Sequence, residues 1–239
     1  MRIAVISDIH GNLSALQAVL KHISRREVEM IYCAGDLVGY VPFPNEVIDL
    51  LKENKIPVVM GNYDDAIGNR RFICGCDYKD EQARALGKKS IIWTRENVTE
   101  KNKEYLRNLP AEICFRAGKF DVMIVHGSPL QLNEYLDQGT KPDYLPELLH
   151  IFQSDVLICG HTQFPYHKAL NSGKHVINAG SVGKPKHGDP HASYVIIEFG
   201  NTVEVCVQKV AYNVESMAMA VEISGLPKEF AEVLRSGTG

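Results

Sequence analysis

Short apolar runs alternate with amphipathic stretches through the first quarter of the chain. Residues 3–7 read as a strand. Residues 13–26 repeat apolar side chains at Leu13, Leu16, Val19, Leu20 and Ile23, a helical period. Residues 30–34 form a second apolar run. Residues 45–53 are helical through Val47, Ile48, Leu50 and Leu51, and residues 57–60 read as a third strand. Strand–helix–strand–helix–strand at this spacing predicts a parallel, layered α/β sheet.

Residues 80–109 pattern as helix, with a fresh start signal at Thr99-Glu100-Lys101-Asn102. Residues 111–116 and 120–125 read as paired strands around Ala117-Gly118-Lys119. A helix over 142–152 and a strand over 155–159 follow. Beyond them, residues 166–170, 175–178, 192–199 and 202–210 read as strands joined by turns such as Asn171-Ser172-Gly173 and Gly200-Asn201, which predicts an antiparallel meander. Helices over 214–223 and 228–234 close the chain. No repeat, low-complexity segment or linker interrupts the pattern, so the expectation is one domain over residues 1–239 with two sheets.

The 239 residues are enough to bury a substantial core. Apolar residues at 45% and charged residues at 23% are ordinary globular values. A formal net charge of −3 argues against a nucleic-acid partner, whose binding surface is usually strongly basic. An anionic substrate must then be held by local positive charge. The opening apolar run is too short for a signal core or a membrane span, which predicts a cytoplasmic protein with no membrane partner. Cys33, Cys114, Cys159 and Cys206 lie in apolar runs and read as buried reduced thiols. Cys74-Gly75-Cys76 is the one close pair. No second Cys or His pair flanks it, so a structural role is expected.

The ends of the apolar runs are chemically unusual. They deliver Asp8-Ile9-His10-Gly11-Asn12, Gly35-Asp36-Leu37-Val38-Gly39, Gly61-Asn62-Tyr63-Asp64-Asp65, His126-Gly127-Ser128 and Gly160-His161-Thr162-Gln163. In open α/β sheets the ligand crevice lies outside the carboxyl ends of the strands. A lone Asp after a strand is usually a cap or a turn residue. Five polar clusters in this order, each beside glycine, point instead to a shared site. Carboxylate, imidazole and amide donors suit divalent manganese, iron, zinc, cobalt or nickel. Alternate residues of an extended segment point the same way, so Asp8 and His10 are expected to reach one ion. Asp36 can bridge two ions with its two oxygens, and a hydroxide between two ions is a strong nucleophile near neutral pH.

The order DxH, GDxxG, GNxD, a later His-Gly and GHT resembles the calcineurin-like metallophosphoesterase superfamily. The likeness spans nearly the whole chain and is strongest to the small bacterial and archaeal branch of phosphodiesterases and diadenosine-tetraphosphate hydrolases. Gly35–Asn45, Trp93-Thr94-Arg95-Glu96, His126-Gly127-Ser128-Pro129 and Asn178-Ala179-Gly180-Ser181-Val182-Gly183 carry it. The resemblance implies a four-layer α/β/β/α sandwich of two mixed sheets flanked by helices. It also implies two divalent metal ions: one on Asp8, His10, bridging Asp36 and Gln163, the other on Asp36, Asn62, His126 and His161. The implied reaction is cleavage of a phosphodiester or phosphoanhydride by a metal-bridging hydroxide. The implied partner is a small phosphorylated or nucleotide substrate, diadenosine polyphosphate among them, and a homodimer stays open.

Two positions depart from the family's pattern. Tyr63 stands where the family has a His that, oriented by the next acidic residue, protonates the leaving group; Asp64 is that acidic residue here. Gln163 stands where the family has a metal-binding His, and an amide oxygen binds a borderline metal more weakly than imidazole. Free Tyr has a pKa of ~10, so Tyr63 is a poor acid and a good leaving group is expected on the substrate. Asn12, Lys184, Lys186, His187 and His191 are candidates for substrate contact. The alternative reading is a non-catalytic scaffold for partner proteins, as in the retromer relatives of this fold, which typically lose ligand positions. All seven positions here keep an oxygen or nitrogen donor, which favours catalysis.

Overall fold

Residues 1–78 and 80–238 are described by the computed structural model. Strand β1 (Arg2–Ile6) pairs in parallel with β2 (Met30–Cys33) and antiparallel with β8 (Ala192–Phe199), which pairs with β9 (Val203–Val210). That sheet has the order β2-β1-β8-β9. The second, β3-β4-β5-β7-β6, is built from β3 (Glu112–Ala117), β4 (Phe120–Val125), β5 (Val156–Cys159), β6 (Tyr166–Ala169) and β7 (His175–Asn178). Its central strands β4, β5 and β7 run parallel and its two edges antiparallel.

The pleat of β1 shows how the layers form. Ile3 and Val5 face the second sheet and pack with Val122, Ile124, Val156, Ile158 and Ile177. Ala4 and Ile6 face the other way, onto Leu16 and Val19 of α1 (Leu13–Ile23) and Val47, Ile48 and Leu51 of α2 (Pro44–Glu53). A strand covered on both faces reads as a continuous apolar run, as residues 3–6 do. Beyond the second sheet, α6 (Tyr144–Ile151) lays Leu145, Leu148 and Leu149 on Met123, Val125, Leu157 and Val176. The result is two mixed sheets flanked by helices, as the resemblance implied.

Three sequence expectations give way. Residues 57–60 make only the isolated bridge Cys33–Val58, because the Met60 N–H turns away to the Pro110 carbonyl. A short helix α3 (Asn62–Gly68) follows, and the helical stretch expected over 80–109 is present as α4 (Glu81–Asn97) and α5 (Glu100–Arg107), the latter capped by Thr99. The expected meander is divided: β6 and β7 close the second sheet, whereas β8 and β9 complete the first. Residues 179–191 make the crossing, pinned by N–H bonds from Val182 to the Ser7 carbonyl and from Gly183 to the Asp8 carbonyl. Among the thiols, Cys33 and Cys159 are buried as expected, but Cys114 and Cys206 are exposed on the edge strands β3 and β9. Cys74 and Cys76 are joined as a disulfide.

The chain ends in α7 (Val214–Ile223) and α8 (Glu229–Ser236), which pack on each other and on Val41.

At Gly183 a Cβ would run into the Ile9 carbonyl oxygen, a backbone atom with no room to yield. Gly183→Ala is expected to destabilise the protein by about 1–3 kcal/mol. Gly200→Ala, where the nearest atom to a new Cβ is 3.9 Å away, should stay within about 0.5 kcal/mol. Urea denaturation of the two variants checks the contrast.

Candidate metal centre

Each expected donor lies just past a strand end or at a helix start. Asp8 and His10 follow β1, Asp36 follows β2, Asn62 opens α3, His126 follows β4, and His161 and Gln163 follow β5. All seven are buried. Five of them have left-handed backbone: Asp8 (φ 52°), His10 (50°), Asp36 (56°), His161 (62°) and Gln163 (65°). Non-glycine residues adopt this region sparingly and cluster there at functional sites. The extended geometry expected at residues 8–10 is therefore absent. The turned backbone, held by the bonds Asp8 N–H to Gly35 O and His10 N–H to Asp36 O, brings the two side chains together instead.

The donor atoms form two groups. Asp8, His10 and Asp36 make one, and Asp36, His126 and His161 the other, with ligand atoms of each group within 4.8 Å of one another. Asp36 belongs to both. Its Oδ2 lies 3.7 Å from His10 Nε2 and 3.5 Å from His126 Nε2. Its Oδ1 accepts the Tyr63 N–H at 2.8 Å. Backbone carbonyls orient the rings: Val38 O is 3.1 Å from His10 Nδ1, and Ala34 O is 2.7 Å from His126 Nδ1. His161 is reversed, with its Nε2 at 3.1 Å from Asn133 O, which leaves Nδ1 for the group.

Asn62 donates its amide to Cys74 O and Cys76 Sγ, and so turns its oxygen to His126 Nε2 at 2.9 Å. Gln163 reaches the first group, with its amide nitrogen 2.8 Å from His10 Nε2, and its Oε1 is buried without a partner among the described residues. An orphaned buried oxygen beside carboxylates and imidazoles is a group that a cation satisfies.

Electrostatics agree with that fit. Burial would raise Asp8, but the hydrogen bond to His10 and the positive field of His126 hold it well below the usual carboxylate range. His126 would be lowered by burial, yet Asp36 pushes it up to about 9. Burial, then repulsion from His126, takes His161 down to about 4. Buried carboxylates in this number demand countercharge.

The remaining candidates fall in different places. Asp64 is fully buried and accepts the N–H groups of Asp36, Leu37 and Gly61 at 2.8–2.9 Å. It therefore positions the Asp36 loop; no bond orients Tyr63 through it. Tyr63 lies edge-on to His10 at 5.4 Å, and its buried hydroxyl has no well-formed hydrogen bond among the described residues. Burial, and then Tyr40 and Tyr78, push its pKa well above the phenol range. The Asn12 side chain is fully used: it caps α1 at Ala15 N–H and donates to Gly183 O and Tyr212 Oη. Lys184 lines the cavity over the donors. His187 lines a different depression with Phe164 and Lys209, and His191 pairs with Asp189 on the surface.

Sequence reasoning missed the cavity's other walls. They include Tyr40, Tyr78, Tyr135 and Phe230. Tyr40 lies within the family-like stretch Gly35–Asn45 and Tyr135 within another, Leu132-Asn133-Glu134-Tyr135-Leu136; Tyr78 and Phe230 carry no local signal.

The calcineurin-like phosphoesterase superfamily domain matches residues 1–202. The chain belongs to that superfamily. Protein MJ0912 of Methanocaldococcus jannaschii is 31% identical over 251 residues, 98% of each chain. Phosphodiesterase YfcE of Escherichia coli is 26% identical over 208 residues, 83% of this chain and 88% of its own. The crystal structure of a metallophosphoesterase from Sphaerobacter thermophilus superposes with a TM-score of 0.78 at 29% identity, covering 99% of both chains. This phosphoesterase is thus a hydrolase of a metal-dependent family, in the small prokaryotic branch.

A Cβ at Gly61 would collide with the backbone nitrogen and Oδ1 of Asp36. Gly61→Ala is expected to lose most bound metal while keeping its secondary structure. Metal analysis after dialysis, with circular dichroism alongside, checks this; full metal content would contradict it.

Proposed function

We propose that this phosphoesterase is a dinuclear phosphohydrolase acting on a nucleotide-like diester or anhydride. The observation that carries the reading is Asp36 Oδ2, common to both donor groups. One ion would be held by Asp8, His10, Asp36 and Gln163, the other by Asp36, Asn62, His126 and His161. Bound there, two divalent ions supply Lewis-acid charge and a water ionised near neutral pH. The chain's own work is positional. Asp64 and the Tyr63 N–H fix Asp36 from two sides, and the backbone carbonyls aim the imidazoles. Lys184 adds positive charge at the cavity wall for phosphate oxygens.

Tyr63 keeps its proton, being a buried phenol. Its hydroxyl, with no well-formed hydrogen bond among the described residues, suits it to donate one to a phosphoryl or leaving oxygen. With no strong acid at this position, a good leaving group such as a nucleotide or polyphosphate fits best. The name of the YfcE relative, a phosphodiesterase, supports the same class. A scaffold role is disfavoured by seven buried donors still in place. Among the described residues no helix is long and apolar enough to cross a membrane, which fits a small soluble-phase substrate.

Asp36→Asn removes the shared charge and should abolish both metal occupancy and turnover of a nitrophenyl phosphodiester without unfolding the chain. Retention of two metals with near-normal turnover would sink the dinuclear reading. Gln163→His adds an imidazole to the first group and should raise its metal affinity, read by chelator titration. Tyr63→Phe should lower kcat/KM by about 1.5–3 kcal/mol on every leaving group without lowering stability. An unchanged rate would place the hydroxyl outside the reaction.

A further inference from the structure

The cavity above the donor groups is walled by rings from distant parts of the chain. Tyr40 and Tyr63 stand 4.9 Å apart at 45°, and both lie edge-on to His10. Tyr78 and Tyr135 line another side, with Tyr135 4.1 Å from the His161 ring. Phe230 of α8 closes the roof, edge-on to Tyr40 at 5.0 Å and 83°. Leu86 and Val233 fill the gaps between the rings. Charge sits on the same wall: the Lys184 ammonium lies 4.7 Å over the Tyr40 ring, and Lys186 is also at the cavity.

This lining is unlike a bare phosphate pocket. Phosphate needs the donors and lysines; it has no use for five aromatic rings. Aromatic side chains offer faces and edges to another flat ring, and such contacts act whatever the ring's hydrogen-bonding pattern. Size narrows the choice. The cavity holds about 210 Å3, below the roughly 300–1,000 Å3 typical of drug-sized ligands. One flat ring system with its phosphoryl group fits, whereas a peptide or a nucleic-acid strand does not.

We propose that the slot between Tyr40, Tyr78, Tyr135 and Phe230 binds a flat aromatic group of the substrate, attached to the phosphoryl held at the metal centre, and that Phe230 of α8 sets this preference. The proposal rests on the phosphohydrolase reading and adds the substrate's second recognition element. It also gives the C-terminal helices a task, because the superfamily domain match ends at residue 202 and α8 lies beyond it. Phe230 touches neither the donors nor the phosphoryl in this scheme, so it acts as a specificity residue.

Two inert ligands isolate the ring contribution. Phenylphosphonate and methylphosphonate share the phosphonate and differ in the aromatic ring, and neither has a P–O–C bond to hydrolyse. Their dissociation constants are measured by calorimetry on the manganese-loaded protein, for wild type, Phe230→Leu and Phe230→Ala. Wild type is expected to bind phenylphosphonate about tenfold more tightly. Phe230→Leu, which keeps α8 packed, should lose most of that ratio, and Phe230→Ala the rest, with methylphosphonate affinity unchanged. Equal affinities in wild type overturn the proposal. So does a Phe230→Leu variant that keeps the tenfold ratio or weakens both ligands alike. Nitrophenyl phosphodiester turnover by the same wild-type sample separates the two readings. Turnover without ring preference removes only this inference. A ring preference without metal-dependent turnover removes only the hydrolase assignment.

Discussion

Asp64 lies in the first turn of α3 with no exposed atom, and its two oxygens take three backbone N–H groups from two separate loops. Two of those groups belong to the loop after β2 and one to the start of α3. The carboxylate thereby clamps Asp36 and Asn62 at a fixed separation, and Asp36 answers by accepting the Tyr63 N–H. An ionised carboxylate accepting several N–H groups is held more strongly than a neutral acceptor would be. Burial and the nearby Asp36 charge raise Asp64, and the N–H bonds from Gly61 and Leu37 favour its ionised form against them. The clamp also explains why the strained backbone survives. Left-handed turns at Asp8, His10 and Asp36 are tolerable because neighbouring loops over-determine them.

Much of this centre could be read from the chain. Each donor cluster stands where an apolar run stops, with a glycine before or after it, and that pattern survives without any knowledge of which strands pair. The strands and helices themselves were legible for the same reason, since strand and helix periods differ, whereas the layered sandwich was implied by the family resemblance. What failed was non-local. Residues 57–60 look like a strand, but one N–H bond to Pro110 takes the segment out of the ladder. The strands over 166–210 look like one meander, because local turn chemistry says nothing about which sheet receives them. Asn12 looked like a substrate contact, and its actual partners, Gly183 and Tyr212, lie far along the chain.

The aromatic slot was illegible for a related reason. Tyr78 and Phe230 sit in segments whose apolar side chains are explained equally well by packing, and Phe230 does pack in the α7–α8 cluster. Only the fold shows that its ring edge also faces a cavity. Lys186 and His187 are neighbouring candidates in the sequence. The backbone turns between them, so the two side chains line different depressions.

The crossing over residues 179–191 has a consequence for how the protein is born. It threads the Val182 and Gly183 N–H groups onto the loop that carries Asp8, and β8 then pairs beside β1. The ribosome releases Asp8, His10 and Asp36 early, while β8 emerges near the end. At roughly 5–20 residues per second, the first donors wait on the order of ten seconds or longer for the strand that completes their sheet. Through that interval the nascent chain carries the ligands without the geometry. A metal centre built on these donors would therefore be completed late in synthesis.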